Sequence, residues 1–329
     1  MRLLIRTEAS SRIGMGHFMR CFAIAEMARA QGIKVIFLLN ELGEAAMARL
    51  AVIGAQGVQV DGPLGGAGDF LALTALNPTR DDWLLIDSYQ ATEDYIALQK
   101  NTVRVAVLDD LNALDRFDCD LIINPAPAAR AVDYERKSRA RLALGADYAL
   151  IRKEFTQTYP APNDASFITI MFGGSDPTQF TARCAQNLHE ALPDVLIRVI
   201  VGPANVHTDE LAGLERKLDR MRVFTSPDSV ARVLAGSQLV ITAAGGSVGE
   251  VAAMGLPALV LVVYDNQAAA LKACPYPAID ARTGLPEDLG VRVKALMDDA
   301  AGRAAMALKA QAVVDGRGAE RIVEIMQYV

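Results

Sequence analysis

The chain is poor in the residues that build metal centres, disulfide frames and membrane spans. Its four cysteines, Cys21, Cys119, Cys184 and Cys274, are scattered without a Cys-x-x-Cys pair, and its three histidines are not clustered. That spacing argues against a zinc site or a disulfide scaffold and fits reduced thiols in a cytoplasmic protein. The longest apolar runs, such as Pro257–Val263, have the length of a buried strand. They fall short of the roughly 20 residues a bilayer crossing needs, so no membrane insertion is expected. No secretory leader is read at the start, where the chain runs directly into a strand. An excess of positive charge is missing too: 33 Lys and Arg against 39 Asp and Glu give a formal net charge of -6, which argues against nucleic acid as the main partner. Aromatic residues make up only 6 % while 52 % of the chain is hydrophobic, so the interior must be built mainly from Ala, Val, Leu and Ile.

What the chain does have is alternation. With 329 residues it is long enough for two domains, each with its own core. In the first half, short apolar runs at Leu3–Ile5, Lys34–Leu39, Val58–Val60, Trp83–Ile86, Val103–Leu108 and Leu121–Ile123 read as strands, separated mostly by helical stretches such as Gly43–Val52 and Thr92–Gln99. The Pro/Asn/Asp-rich segment Thr158–Asp164 reads as a linker. The pattern then restarts, with strands predicted at Phe167–Phe172, Val195–Val201, Arg222–Phe224, Leu239–Thr242 and Leu256–Val263. Such alternation implies parallel strands joined by right-handed crossovers. The fold class expected is α/β: two Rossmann-like domains, residues 1–157 and 165–329, facing a central cleft. Ligands in such sheets bind beyond the carboxyl ends of the strands.

The most informative stretch is Gly14-Met15-Gly16-His17-Phe18-Met19-Arg20, where a strand and loop hand over to a helix that reads as mostly buried across Cys21–Ala28. Glycines let a ligand approach the backbone, a helix N-terminus attracts anions, and an imidazole there is suited to general-base work. A dinucleotide fingerprint fits poorly. Met19 occupies the third glycine position, and about eight residues separate the strand from Gly14. Carboxylates stand at two further strand ends, in Asp87-Ser88-Tyr89 and in Leu108-Asp109-Asp110-Leu111. Such residues often cap the following helix, and no metal is expected from them.

The second half carries three strand-to-helix turns: Gly173-Gly174-Ser175-Asp176-Pro177, Gly245-Gly246-Ser247-Val248-Gly249-Glu250 and Tyr264-Asp265-Asn266-Gln267. Asp176 or Ser175 is placed to cap a helix, and Ser247 with Glu250 spells a capping box. The same parts suit a nucleotide, with free N–H groups on a diphosphate and Glu250 accepting from ribose hydroxyls.

Taken in order, these segments resemble the UDP-2,4-diacetamido-2,4,6-trideoxy-β-L-altropyranose hydrolases of pseudaminic acid biosynthesis, a family related in fold to a GT-B glycosyltransferase. The matching pieces are Arg6 to Arg20, Asp87–Tyr89, Leu108–Leu111, Cys119–Asn124, Leu144–Arg152, Glu154-Phe155, Gly173–Pro177, Gly246-Ser247, Glu250 and Asn266-Gln267. The resemblance implies His17 as the catalytic residue, with Asp87 and Tyr89 near the sugar. It implies a UDP-sugar held through Gly14, Gly16, Arg20, Gly173, Gly174, Gly246, Ser247, Glu250, Asn266 and Gln267, without cofactor or metal. The activity implied is inverting hydrolysis at the anomeric carbon, in a nonulosonic acid pathway feeding flagellar or surface glycosylation, with other enzymes of that pathway as partners. The alternatives are a GT-B glycosyltransferase and a non-catalytic nucleotide-sugar binder. Glu8, Gln90 and Val248-Gly249 depart from the family pattern, and the segment after Gln267 looks shortened.

Overall fold

The computed structural model describes residues 1–8, 16–126, 128–160, 166–176 and 178–328. The chain divides into two units. In the first, strands β1 (Arg2–Thr7), β2 (Lys34–Leu39), β3 (Gln56–Gln59), β4 (Trp83–Asp87), β5 (Arg104–Leu108), β6 (Leu121–Asn124) and β7 (Arg141–Leu144) form one sheet in the order β3-β2-β1-β4-β5-β6-β7. Every pairing is parallel. In the second, β8 (Phe167–Met171), β9 (Leu196–Val201), β10 (Met221–Thr225), β11 (Leu239–Ala243), β12 (Ala258–Val262) and β13 (Ala278–Asp280) form a parallel sheet ordered β10-β9-β8-β11-β12-β13.

A parallel sheet covered by helices on both faces needs strands that are apolar at consecutive positions. β4 meets that demand with Trp83, Leu84, Leu85 and Ile86, all fully buried. Because side chains alternate along a strand, Leu3, Ile5, Trp83 and Leu85 join one core while Leu4, Leu84 and Ile86 join another on the opposite face. The first of these cores is completed by helix α1 (Gly16–Ala30), which contributes Phe18, Cys21, Phe22, Ile24, Ala25 and Ala28.

The division of the chain differs from the expected one in two places. The first unit comprises Met1–Lys153 together with the segment from Arg317 onward, and the second is Glu154–Gly316. The C-terminal helix Gly318–Tyr328 carries its apolar stripe, Ala319, Ile322, Val323, Ile325 and Met326, into the first core. Burying each larger side chain of that stripe contributes about 1.5–3 kcal/mol. The buried Trp83 indole donates to the Met326 carbonyl at 2.8 Å, which satisfies its one polar group. The boundary itself falls at Lys153–Glu154, ahead of the expected linker. The Lys153 amide is held by Glu26 at 3.0 Å, while Glu154 accepts from Ser229 Oγ at 2.8 Å and the Ala231 amide at 3.3 Å.

Both sheets reverse strand order once, between β1 and β4 in the first unit and between β8 and β11 in the second. In open α/β sheets that reversal opens a crevice beyond the strand ends, the usual place for a ligand.

Candidate active site

The N-terminal site grows out of the pairing of β1 with β4. Their last register pair is Thr7 and Asp87, so the helix that follows β1 begins close to the end of β4. His17 lies in the first turn of α1, and Arg20 three residues on shares its face. His17 Nδ1 is 2.7 Å from Asp87 Oδ1, with Asp87 fully buried and His17 only 7 % exposed. Arg20 closes a two-pronged fork on the same carboxylate, Nε to Oδ2 at 2.7 Å and Nη2 to Oδ1 at 2.5 Å. Its third nitrogen, Nη1, donates to Asp110 Oδ2 at 2.8 Å, and the Tyr89 hydroxyl donates to that oxygen at 3.1 Å. The Tyr89 ring stands edge-on to the His17 ring, centroids 4.7 Å apart and planes 80° to each other.

Burial alone drives the Asp87 carboxyl toward its neutral form. The bonds and charges of Arg20 and His17 outweigh that cost and hold it below its ordinary value. An ionised carboxylate can only accept hydrogen bonds. The 2.7 Å contact therefore needs a proton on His17 Nδ1, and in the neutral ring that tautomer has its lone pair on Nε2. That is the tautomer a general base needs. Burial works against the charge of Arg20, and its bonds to Asp87 and Asp110 more than restore it, raising its pKa. Burial, followed by the charge of Asp110, pushes the Tyr89 phenol up to about 12, so it remains a donor at neutral pH. Cys21 Sγ donates to Asp87 Oδ2 at 3.3 Å, and burial first, then the Asp87 charge, raises its thiol well above the ordinary range. A thiol so disfavoured as thiolate is not a nucleophile.

Of the other residues expected here, Gly14 lies outside the described residues. Gly16 opens α1, and a Cβ there would meet nothing within 4 Å. Arg20, expected among the UDP contacts, is turned onto Asp87 and Asp110. Asp110, which ties Arg20 to Tyr89, was legible only as one of a pair of strand-end carboxylates. Its neighbour Asp109 accepts from the Tyr134 hydroxyl and from the amides of Leu111 and Asn112, a local turn.

In the C-terminal unit, the parallel pairings of β8 with β11 and of β11 with β12 bring three turns to one sheet edge. Gly173 adopts φ +77°, which favours glycine, and a Cβ on Gly174, Gly245 or Gly246 would meet nothing within 4 Å. The loop has one further requirement the sequence did not reveal. A Cβ on Gly202, at the end of β9, would stand 2.5 Å from Gly174 Cα, so Gly202 is what lets this loop settle.

The cap position of the helix Phe180–Ala191 is Gln179, and Asp176, not Ser175, holds its first turn, accepting from the amides of Phe180 at 3.1 Å and Thr181 at 2.8 Å. The capping box expected at Ser247 does not form. The cap position of the helix Ser247–Ala253 falls on Gly246, which has no side chain to cap with, and Ser247 is the first helical residue. Asn266 and Gln267 lie in the short turn Asp265–Gln267, where Gln267 Oε1 accepts from the Val263 amide at 3.0 Å and ties the turn to the end of β12. After Gln267 the next helix, Ala270–Ala273, is a single turn, and β13 follows it. Among the described residues no group of three or more His, Cys, Asp or Glu is placed to hold a metal ion. Nor is any helix among them long and apolar enough to cross a membrane.

Residues 168–275 match the family model described as the glycosyltransferase family 28 C-terminal domain. The chain is 22 % identical over 280 residues to an uncharacterized protein of Methanocaldococcus jannaschii, a match covering 81 % of this chain and 56 % of that protein. It thus spans little more than half the length of that relative. It is 23 % identical over 256 residues to the UDP-2,4-diacetamido-2,4,6-trideoxy-beta-L-altropyranose hydrolase of Campylobacter jejuni, with 76 % of this chain and 87 % of that one covered. Against the spore coat polysaccharide biosynthesis protein SpsG of Bacillus subtilis it is 24 % identical over 341 residues, with 99 % and 98 % covered. Among solved structures, Acinetobacter baumannii MurG superposes with a TM-score of 0.64 at 15 % identity, over the whole of both chains. S. aureus MnaA bound to UDP gives a TM-score of 0.68 at 16 % identity, over 100 % of this chain and 96 % of that one. The chain is a two-domain α/β protein of GT-B-like fold, related to nucleotide-sugar proteins.

Proposed function

We propose that this chain hydrolyses a UDP-linked 2,4-diacetamido-2,4,6-trideoxyhexose to UDP and the free sugar, supplying a nonulosonic acid pathway for surface or flagellar glycosylation. The observation that carries the reading is the His17–Asp87 pair, whose 2.7 Å contact suits a neutral ring with its proton on Nδ1 and its lone pair on Nε2. In this scheme His17 Nε2 takes a proton from a water molecule as its oxygen bonds to the anomeric carbon. The bond from that carbon to the diphosphate oxygen breaks, its electron pair leaves with UDP, and the configuration inverts. Asp87 stabilises the imidazolium until its proton passes to solvent. A diphosphate leaves readily, so a positioned water and a base carry most of the demand, and no metal is required.

The C-terminal unit holds UDP through Gly173, Gly174, Gly246, Ser247, Glu250, Asn266 and Gln267. Three features support this: the open glycines at the strand-order reversal, the family 28 match over residues 168–275, and the Campylobacter jejuni relative. The test is incubation with the UDP-sugar in ¹⁸O-labelled water without any acceptor. Hydrolysis releases stoichiometric, unlabelled UDP and first yields the sugar anomer of opposite configuration; label in UDP overturns attack at carbon.

The family 28 match favours one other reading, transfer of the sugar to a hydroxyl acceptor. A transferase releases little UDP in the same assay until an acceptor is added.

A further inference from the structure

Each side-chain nitrogen of Arg20 already donates to a carboxylate, which uses three of the five N–H donors of a guanidinium. Nε and Nη2 are committed to the two oxygens of Asp87, and Nη1 to Asp110. At the same time its fork grips the very oxygen, Asp87 Oδ1, that receives Nδ1–H of His17. A buried carboxylate at 2.7 Å favours the imidazolium and so raises the proton affinity of the ring; a guanidinium on the same carboxylate offsets that pull. Among the described residues, the polar and aromatic groups in contact with the ring are Asp87, Arg20 and Tyr89. Asp110 and Cys21 reach it only through Arg20, Tyr89 and Asp87, while Glu8, beyond the end of β1, is bonded to Ser88.

The geometry points to Arg20 as a positioning residue: it fixes and neutralises Asp87, so that His17 stands as the neutral Nδ1–H tautomer with Nε2 unprotonated, and it is not a ligand of the diphosphate. The kinetic side of this assignment rests on His17 being the base of the proposed hydrolysis; the electrostatic side does not.

The test uses the full chain labelled with ¹⁵N-histidine, in which only three rings contribute and a His17→Gln spectrum assigns the relevant one. In the unmodified protein near neutral pH, His17 is expected to show Nδ1–H and a bare Nε2. In Arg20→Gln the midpoint of the His17 titration is expected to rise by about one pH unit or more. The acid limb of kcat should move the same way, KM should change little, and UDP affinity by calorimetry should be unchanged.

Arg20→Lys keeps the charge without the fork. Its ring titration is expected to stay near that of the unmodified protein while kcat falls, and this variant decides the matter if Arg20→Gln does not fold. An Nε2–H ring in the unmodified protein, an unmoved titration in Arg20→Gln, or a tenfold loss of UDP affinity in either variant overturns the assignment. Absence of hydrolysis in the unmodified protein would sink the proposed function instead, leaving the tautomer and titration results to judge Arg20.

Discussion

Thr7 and Asp87 are neighbours on the last rung of the β1–β4 pair, at the one point in the first sheet where strand order reverses. The residues directly after the two strands stay together, Ser88 Oγ donating to Glu8 Oε1 at 2.8 Å. A carboxylate placed on that rung is within reach of the helix that follows β1, and His17 and Arg20 are the residues that meet it.

Removing the imidazole isolates its contribution. General-base assistance accounts for about 10²–10⁴-fold in rate. His17→Ala is expected to lose kcat by that factor while UDP binding, measured by calorimetry, stays as it was, because the proposed nucleotide contacts lie in the second unit. Equal loss of both would mean that His17 holds the nucleotide and does not drive the chemistry.

Asp87 links the site to acid stability. Its folded pKa lies below the ordinary 3.8, so its stabilising contribution is complete above that value and is lost as pH falls through the depressed folded value. Thermal melting followed from pH 6 downward should therefore show an acid limb that is shallower in Asp87→Asn. The same variant presents an amide that can face His17 with either its oxygen or its nitrogen. Its kcat should fall about 10³-fold or more, as expected when a base loses its tautomer.

Much of this arrangement was legible in the residue order, for identifiable reasons. Central parallel strands such as Trp83–Ile86 are apolar at every position, and the Gly-x-Gly-His stretch sits at a strand-to-helix handover. The edge strands β7 and β13, only four and three residues long and partly exposed, carry no such signal. The return of the C-terminal helix was hidden for a different reason. The stripe from Ala319 to Met326 announces burial but not against which core, and the Trp83–Met326 bond joins residues 243 apart. Arg20 illustrates the limit at the site. A cation beside Gly-x-Gly reads equally well as a phosphate ligand or as a carboxylate partner, and only the positions of Asp87 and Asp110 decide.

Asp176 offers a test of cap against ligand contact in the second unit. It accepts from the amides of Phe180 and Thr181 and from Thr178 Oγ1 at 2.9 Å. Loss of such a cap costs about 0.5–2 kcal/mol. Asp176→Ala should accelerate amide exchange at Phe180 and Thr181, with Asp176→Asn intermediate. A change in UDP affinity without any change in exchange would assign Asp176 to the ligand.

Two glycines separate loop shape from ligand space. At Gly202 an added Cβ collides with Gly174 Cα at 2.5 Å and with the Gly173 carbonyl oxygen at 2.6 Å. Neither backbone atom can swing aside as a side chain would, so Gly202→Ala must displace the Gly173-Gly174 turn. At Gly246 the residue is in an ordinary right-handed conformation and the added methyl meets nothing within 4 Å. Gly246→Ala should therefore melt at the same temperature as the unmodified chain, whereas Gly202→Ala should melt lower. Both are expected to lose UDP affinity, the first because the methyl occupies space the diphosphate needs and the second because the turn has moved. If Gly246→Ala binds UDP as tightly as the unmodified protein, the diphosphate does not rest on the turn between β11 and its helix, and the proposed nucleotide contacts at Gly246 and Ser247 fall with it.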